Sequence, residues 1–275
     1  MQLVSGPDHR RDAAGMTYIY AVVSRRANGV SIGVNLNPSI ACNWRCIYCQ
    51  VPGLVRGAPP AVDLGQLDRE LRSMLASFAS PSVPAQPSRI EDIAFSGNGE
   101  STLSPMFAAA VRVVRNVMRE MDLDANVKLR LITNGSRVLH PAVQEGLREI
   151  AAAGGEVWFK LDGGSRDAIQ QINDVRLSPR GVSERLAVCA SLVPTWVQTC
   201  VVALDSVVPD ECWLRDYLAV LDATGTERLK GILLYGLARP SQQPEAGRLG
   251  QVPASWMALV AATLRRAGLT VRVSP

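Results

Sequence analysis

Three of the six cysteines, Cys42, Cys46 and Cys49, fall within eight residues in the run C-N-W-R-C-I-Y-C. At C-x3-C-x2-C spacing, three thiolates can hold three irons of a four-iron cluster and leave the fourth iron without a protein ligand. Catalysis requires such an open metal position, because a small molecule must reach it. Zinc is one alternative and would need a fourth donor, yet the only histidines are His9 near the start and His140 far along the chain. Three inert buried thiols are the other alternative, at odds with their clustering in one polar segment that carries Trp44 and Tyr48. Cys189, Cys200 and Cys212 are spaced too widely for a second cluster motif.

Composition narrows the setting. The first residues, MQLVSGPDHRRDAAG, lack the apolar core of a secretory signal. Without one, six cysteines in 275 residues read as reduced thiols in the cytoplasm rather than a disulfide framework. No apolar run of about 18 residues occurs, so no membrane span is expected. The net charge of +4, from 29 basic and 25 acidic residues, gives no argument for nucleic acid. Residues 1–17 read as a flexible leader, and 18–275 as one domain.

The elements that must position the cysteines follow from periodicity. Two strand-like runs, YIYAVV and VSIGVNL, flank an Asn28-Gly29 hairpin turn and deliver the chain to the cysteine loop. Val62–Ala79 has a helical period, and SPSVPAQPS then breaks the chain. Strands are expected at Asp92–Phe95, Val127–Ile132, Val157–Leu161, Val197–Ala203, Lys230–Tyr235 and Leu269–Val273. Helices are expected at Pro105–Met121, Pro141–Ala152, Glu184–Leu192, Pro209–Ala223 and Pro253–Ala267. Alternating strands and helices imply parallel strands joined by right-handed crossovers. Six to seven units fall short of the eight of a closed barrel. The expected fold is therefore α/β, a partial (β/α)6-type open barrel with an N-terminal β-hairpin.

C-x3-C-aromatic-C after a first strand resembles the radical SAM superfamily, whose members use S-adenosylmethionine (SAM). The resemblance implies a [4Fe-4S] cluster on Cys42, Cys46 and Cys49, with SAM on the open iron. One electron, from a donor such as flavodoxin or ferredoxin, would cleave SAM and give a 5′-deoxyadenosyl radical that abstracts hydrogen from a substrate. Tyr48 stands where the family places an aromatic against the adenine. F-S-G-N-G-E-S-T-L at 95–103 is similar to the family's Gly-Gly-Glu loop, with Asn98, Gly99 and Glu100 implied near the methionyl group. Here Asn98 stands where glycine is common, and Ser101 where proline is. Thr133, Asn134, Lys160 and Asp162 end the next two strands and are implied as contacts to ribose and carboxylate. Tyr235 is implied in the adenine pocket. The run V-S-R-R-A-N-G-V-S-I-G-V-N-L-N-P resembles the branch related to wyosine-base synthesis, and recognisable motifs extend from about residue 18 to 175.

The resemblance leaves the substrate open. The leading expectation is an adenosyl-radical enzyme acting on a small or peptide-like substrate. The alternatives are an activase that installs a glycyl radical on a partner protein, and an RNA-modifying enzyme. A non-catalytic binding module sits poorly with polar loops repeated at one end of the strands. Loops bearing Q-Q-I-N-D-V-R and G-L-A-R-P are expected to line an open lateral mouth, with Arg176 and Arg239 as candidate anchors for a carboxylate or phosphate. No residue stands out as an acid or base acting on the substrate.

Overall fold

The computed structural model describes residues 15–24, 29–79, 90–123, 126–237 and 239–274. Residues 1–14 of the expected leader, the Asn28 side of the hairpin turn and the SPSVPAQPS connection lie outside the described residues. Strands β1 (Ile19–Ser24) and β2 (Gly29–Val34) pair antiparallel, as the hairpin reading requires. Two-residue strands β3 (Ala41–Cys42) and β4 (Val55–Arg56) bracket the cysteine loop and pair with each other.

Helices and strands then alternate: α1 (Leu64–Ala79), β5 (Ile90–Phe95), α2 (Phe107–Glu120), β6 (Lys128–Thr133), α3 (Pro141–Ala152) and β7 (Glu156–Lys160). Next come α4 (Arg166–Asn173), α5 (Pro179–Leu192), β8 (Thr195–Val201), β9 (Ala203–Leu204) and α6 (Glu211–Thr224). The chain closes with β10 (Gly231–Gly236), β11 (Leu249–Gly250), α7 (Ala254–Arg266) and β12 (Val271–Ser274). The main sheet runs β1-β2-β5-β6-β7-β8-β10-β12, with every pairing after β1-β2 parallel. Its two ends do not pair with each other among the described residues, so the sheet curls into an open partial barrel. No helix among the described residues is long and apolar enough to cross a membrane.

Alternation along each strand separates two environments. Ile32, Ile93, Leu131, Phe159, Val197 and Leu234 point to the helices and form one continuous apolar core with them. Ser31, Asp92, Trp158, Lys160, Gln198 and Tyr235 point the other way, into the barrel interior. Helix α4 was not expected. It is two polar turns, too short to show a clear apolar period, and its signals are caps. Ser165 accepts from the Ala168 N–H, and Asp174 ends it in the left-handed region at φ 52°. Q-Q-I-N-D-V-R is therefore the end of this helix and its exit, not a loop lining a mouth.

The loop from β7 into α4 must pass close to α6, and Gly164 makes that approach. A Cβ there would lie 2.1 Å from the Asp216 carbonyl carbon and 2.3 Å from the Tyr217 backbone nitrogen. Neither backbone atom can yield without moving the helix. Gly164→Ala should therefore cost about 3 kcal/mol in urea unfolding, whereas Gly247→Ala, with nothing within 4 Å of its Cβ, should stay within about 0.5 kcal/mol. Equal stability of the two variants would contradict this packing.

Candidate active site

The cysteine loop crosses the end of the barrel where the parallel strands finish, and its own sequence offers no regular structure to satisfy its backbone. The surrounding chain does so from three sides. At the exit of α4, the Asn173 and Ile172 carbonyls accept from the Arg45 and Ile47 N–H groups, at 3.2 and 2.9 Å. From the 241–243 segment, Ser241 Oγ donates to the Ile47 carbonyl at 2.7 Å and the Gln242 N–H to the Cys49 carbonyl at 2.9 Å. Gln243 Nε2 donates to the Val51 carbonyl at 2.8 Å. On the β4 side, the Gly57 N–H donates to the Cys42 carbonyl at 3.2 Å.

Arg45, inside the motif, adds charge to this framework. Its Nε meets Asp174 Oδ2 at 3.0 Å, and its two terminal nitrogens grip Glu245 in a fork at 2.9 Å each.

Cys42, Cys46 and Cys49 are free, half-buried and line one cavity of about 640 Å³. Burial pushes the Cys42 thiol up to about 11 and the Cys46 thiol up to about 12. Both are therefore neutral thiols until a metal displaces the proton. Among the described residues, no three His, Cys, Asp or Glu side chains gather closely enough to hold a single ion. The three motif thiols nevertheless share the wall of one cavity. Cys200, on β8, lines the same cavity, while Cys189 is buried under α5 and Cys212 is exposed on α6.

The S-G-N-G-E loop after β5 packs directly on the entry to the cysteine loop. Asn35 Oδ1 accepts from the Asn37 and Asn98 N–H groups at 3.1 and 3.2 Å. A Cβ on Gly97 would sit 2.1 Å from Asn35 Oδ1, and one on Gly99 would sit 2.3 Å from the Ala41 carbonyl oxygen. The glycines thus admit the neighbouring loop, whatever else they admit. Asn35, Asn37 and Asn43 are contributors that motif spacing alone did not single out; Asn43 Oδ1 accepts from Asn134 Nδ2 at 2.9 Å.

Of the residues expected around SAM, the structure brings Tyr48, Asn98, Gly99, Glu100, Asn134, Lys160 and Tyr235 to the cavity wall. Thr133 and Asp162 lie behind it. Thr133 shares the parity of Leu129 and Leu131, so it faces the helices and donates to Glu100 Oε1 at 2.7 Å. Glu100 also accepts from Thr102 and from the Asn134 N–H at 2.6 Å, so its carboxylate clamps the loops after β5 and β6 together.

Asp162 plays the matching part on the other side. It accepts from the Cys200 N–H at 2.9 Å, the Tyr48 hydroxyl at 2.5 Å and Asn173 Nδ2 at 2.7 Å. Lys160 donates to the same hydroxyl at 2.5 Å. Burial works against the lysine's charge, but the fields of Tyr235 and Asp162 outweigh it and hold the ammonium above its ordinary range. Burial likewise lifts the Tyr48 phenol well above its ordinary value. Arg239 reaches the cavity rim, as expected. Arg176 does not; it is exposed beyond α4.

Asp162 therefore acts as a three-way acceptor beneath the site. Asp162→Asn would turn an amide N–H₂ towards groups that already donate, and should cost about 2–3 kcal/mol, read as a lower urea midpoint at unchanged slope. Stability equal to wild type would remove this role and return Asp162 to direct ligand contact.

No family model matches the sequence, and no curated protein matches it. The fold has counterparts among solved structures. SuiB from Streptococcus suis, bound to S-adenosylmethionine, superposes with a TM-score of 0.58 at 9% identity, covering 91% of this chain and 52% of that one. A radical SAM methyltransferase from Sphaerobacter thermophilus gives a TM-score of 0.59 at 14% identity, covering 90% of this chain and 66% of that one. This chain spans about half to two thirds of their lengths, and the open barrel is what it shares with them.

Proposed function

We propose that this chain is a radical SAM enzyme with a [4Fe-4S] cluster on Cys42, Cys46 and Cys49. The observation that carries the reading is convergence. The three motif thiols, the glycine loop after β5 and polar strand-end residues of β6, β7 and β10 meet at one cavity. Its size suits a nucleoside-sized cofactor. The barrel likeness to a SAM-bound structure supports the same reading. When bound, the cluster and SAM supply a 5′-deoxyadenosyl radical after one-electron reduction by a partner such as flavodoxin or ferredoxin.

The chain's own residues bind and orient. Lys160, fixed by Tyr48, presents a cation to the methionyl carboxylate. Backbone groups of Asn98 and Gly99 face the methionyl amino group. Tyr235 and the ring of Tyr48 offer flat surfaces to the adenine. Thr133 and Asp162, behind the wall, act indirectly by holding these groups, while Glu100 clamps two loops from a position on the wall itself. The similarity to the wyosine-related branch rests on the strand-and-loop sequence before Cys42, and it does not extend to a substrate.

Anaerobic reconstitution should give about four irons per chain, and Cys42→Ala, Cys46→Ala and Cys49→Ala should each lose the cluster. Cys189→Ala, Cys200→Ala and Cys212→Ala should load normally. Adding SAM should change the electron paramagnetic resonance spectrum of the reduced cluster. An unchanged spectrum at saturating SAM, or loading that survives loss of a motif cysteine, would overturn the proposal.

A further inference from the structure

Below the cysteines the barrel interior continues as a floor built from the middle of the strands. Its lowest layer is already closed upon itself. Arg130 pairs with Asp92 and, at 2.7 Å, with Glu156, and Ser31 donates to Asp92. Glu156 also accepts the indole N–H groups of Trp158 and Trp196, at 3.1 and 3.2 Å. The Arg130 guanidinium lies 4.8 Å from the centre of the Trp158 ring. One guanidinium thus bridges two carboxylates, and Glu156 fixes both indoles in orientation.

One layer higher stands Gln198 on β8. Across the sheet it is opposite Lys160 on one side and Leu233 on the other. Trp158 is its diagonal neighbour on the same face of the sheet, within reach of a long side chain. Gln198 is only 2% exposed and lines the cavity. Its carboxamide has no hydrogen-bond partner among the described residues, although every other polar group of the floor is engaged. Unlike Arg185 Nε, the one solvent-excluded side-chain nitrogen or oxygen without a partner among the described residues, the carboxamide still opens to the cavity, so its hydrogen-bonding groups are available to whatever enters. A carboxamide offers one acceptor and two donors side by side and carries no charge.

We propose that Gln198 is a substrate-recognition residue and that the floor it shares with Trp158 accepts an uncharged amide-type edge, an adjacent donor and acceptor as in a lactam or peptide amide. An anionic group is disfavoured there. An anion would lose water against a neutral carboxamide, Trp158 and Leu233, above a layer that already holds two carboxylates to one guanidinium. Lys160, the cross-strand neighbour of Gln198, is turned to Tyr48 and the cysteine side. The inference rests on the radical SAM reading only in naming the occupant a substrate. Binding itself does not depend on turnover.

The test uses the reconstituted protein saturated with SAM and ligand-observed NMR with three probes. Uracil represents a cyclic edge, N-acetylalanine N-methylamide a linear one, and benzoate a charged planar control. At least one amide probe should bind and benzoate should not; which probe binds distinguishes a lactam from a peptide-like source. Gln198→Leu should weaken the bound amide probe about tenfold or more, and Gln198→Glu, which keeps the size but lacks the donor, should do likewise. SAM affinity, measured separately by calorimetry, should stay at the wild-type value in both variants. The inference is overturned if wild type binds neither amide probe, if both variants retain wild-type probe affinity, or if SAM affinity falls in parallel, which would make Gln198 a cofactor contact. Failure of the radical SAM reading would appear instead as a wild-type protein that binds no SAM.

Discussion

The site depends on satisfying the backbone of an irregular, half-buried loop. Between β3 and β4 the chain carries three thiols, but it has no helix or sheet ladder to take up its N–H and C=O groups. Leaving those groups unpaired beside an apolar core would be costly. The exit of α4, the Ser241-Gln242-Gln243 segment and the β4 turn each supply partners. Elements more than a hundred residues apart in sequence are thereby tied to one short loop. Arg45, with Asp174 and Glu245, closes the same three-way junction through charge. The thiols keep their places on the cavity wall because the loop that bears them is held from outside.

Two buried carboxylates repeat this logic one layer inwards. Glu100 and Asp162 are each 3% exposed and surrounded by donors. Burying a carboxylate is unfavourable unless its oxygens are met, and here they are met almost entirely by neutral N–H and O–H groups. Each acid binds loops from different strands: Glu100 joins the ends of β5 and β6, and Asp162 joins the end of β7 to β8, α4 and Tyr48. The cavity-facing groups, Asn134 and Lys160 among them, are thus set before any ligand arrives. Such preorganisation keeps positioning precise without reordering on binding.

The curled sheet divides the remaining work between its faces. The helix side is continuous and apolar, and it carries most of the stability that burial provides. The inner side is layered, with paired ions and indoles at the bottom, Lys160 and Gln198 in the middle, and Cys200 and Tyr235 near the cysteine loop. Because the sheet does not close, this interior stays open along the gap between its end strands, with Val22 and Val273 on the two margins.

Much of this was legible in the sequence because it is encoded locally. Period-two and helical patterns marked the strands of the main sheet and nearly all the helices, though not the two-residue strands β3, β4, β9 and β11, and the cysteine spacing marked the loop between β3 and β4. Thr133 could have been placed correctly from the same alternation, since it shares a face with Leu129 and Leu131. Helix α4 escaped because two polar turns leave little periodicity to detect. Asn173 and Gln198 carried no sequence signal, and for Asp162 the sequence offered a ligand contact but no hint of its three protein donors. Asp162 lies two residues past the end of β7, where the pleat no longer dictates direction, and its partners lie on β8, α4 and the cysteine loop. Sequence determined which segments would be strands, helices and a thiol-bearing loop, because those choices follow from backbone propensity and burial over a few residues. Only the tertiary structure decided which polar groups face the cavity and which hold it together. That division depends on hydrogen-bond partners supplied by distant segments once the sheet has curled.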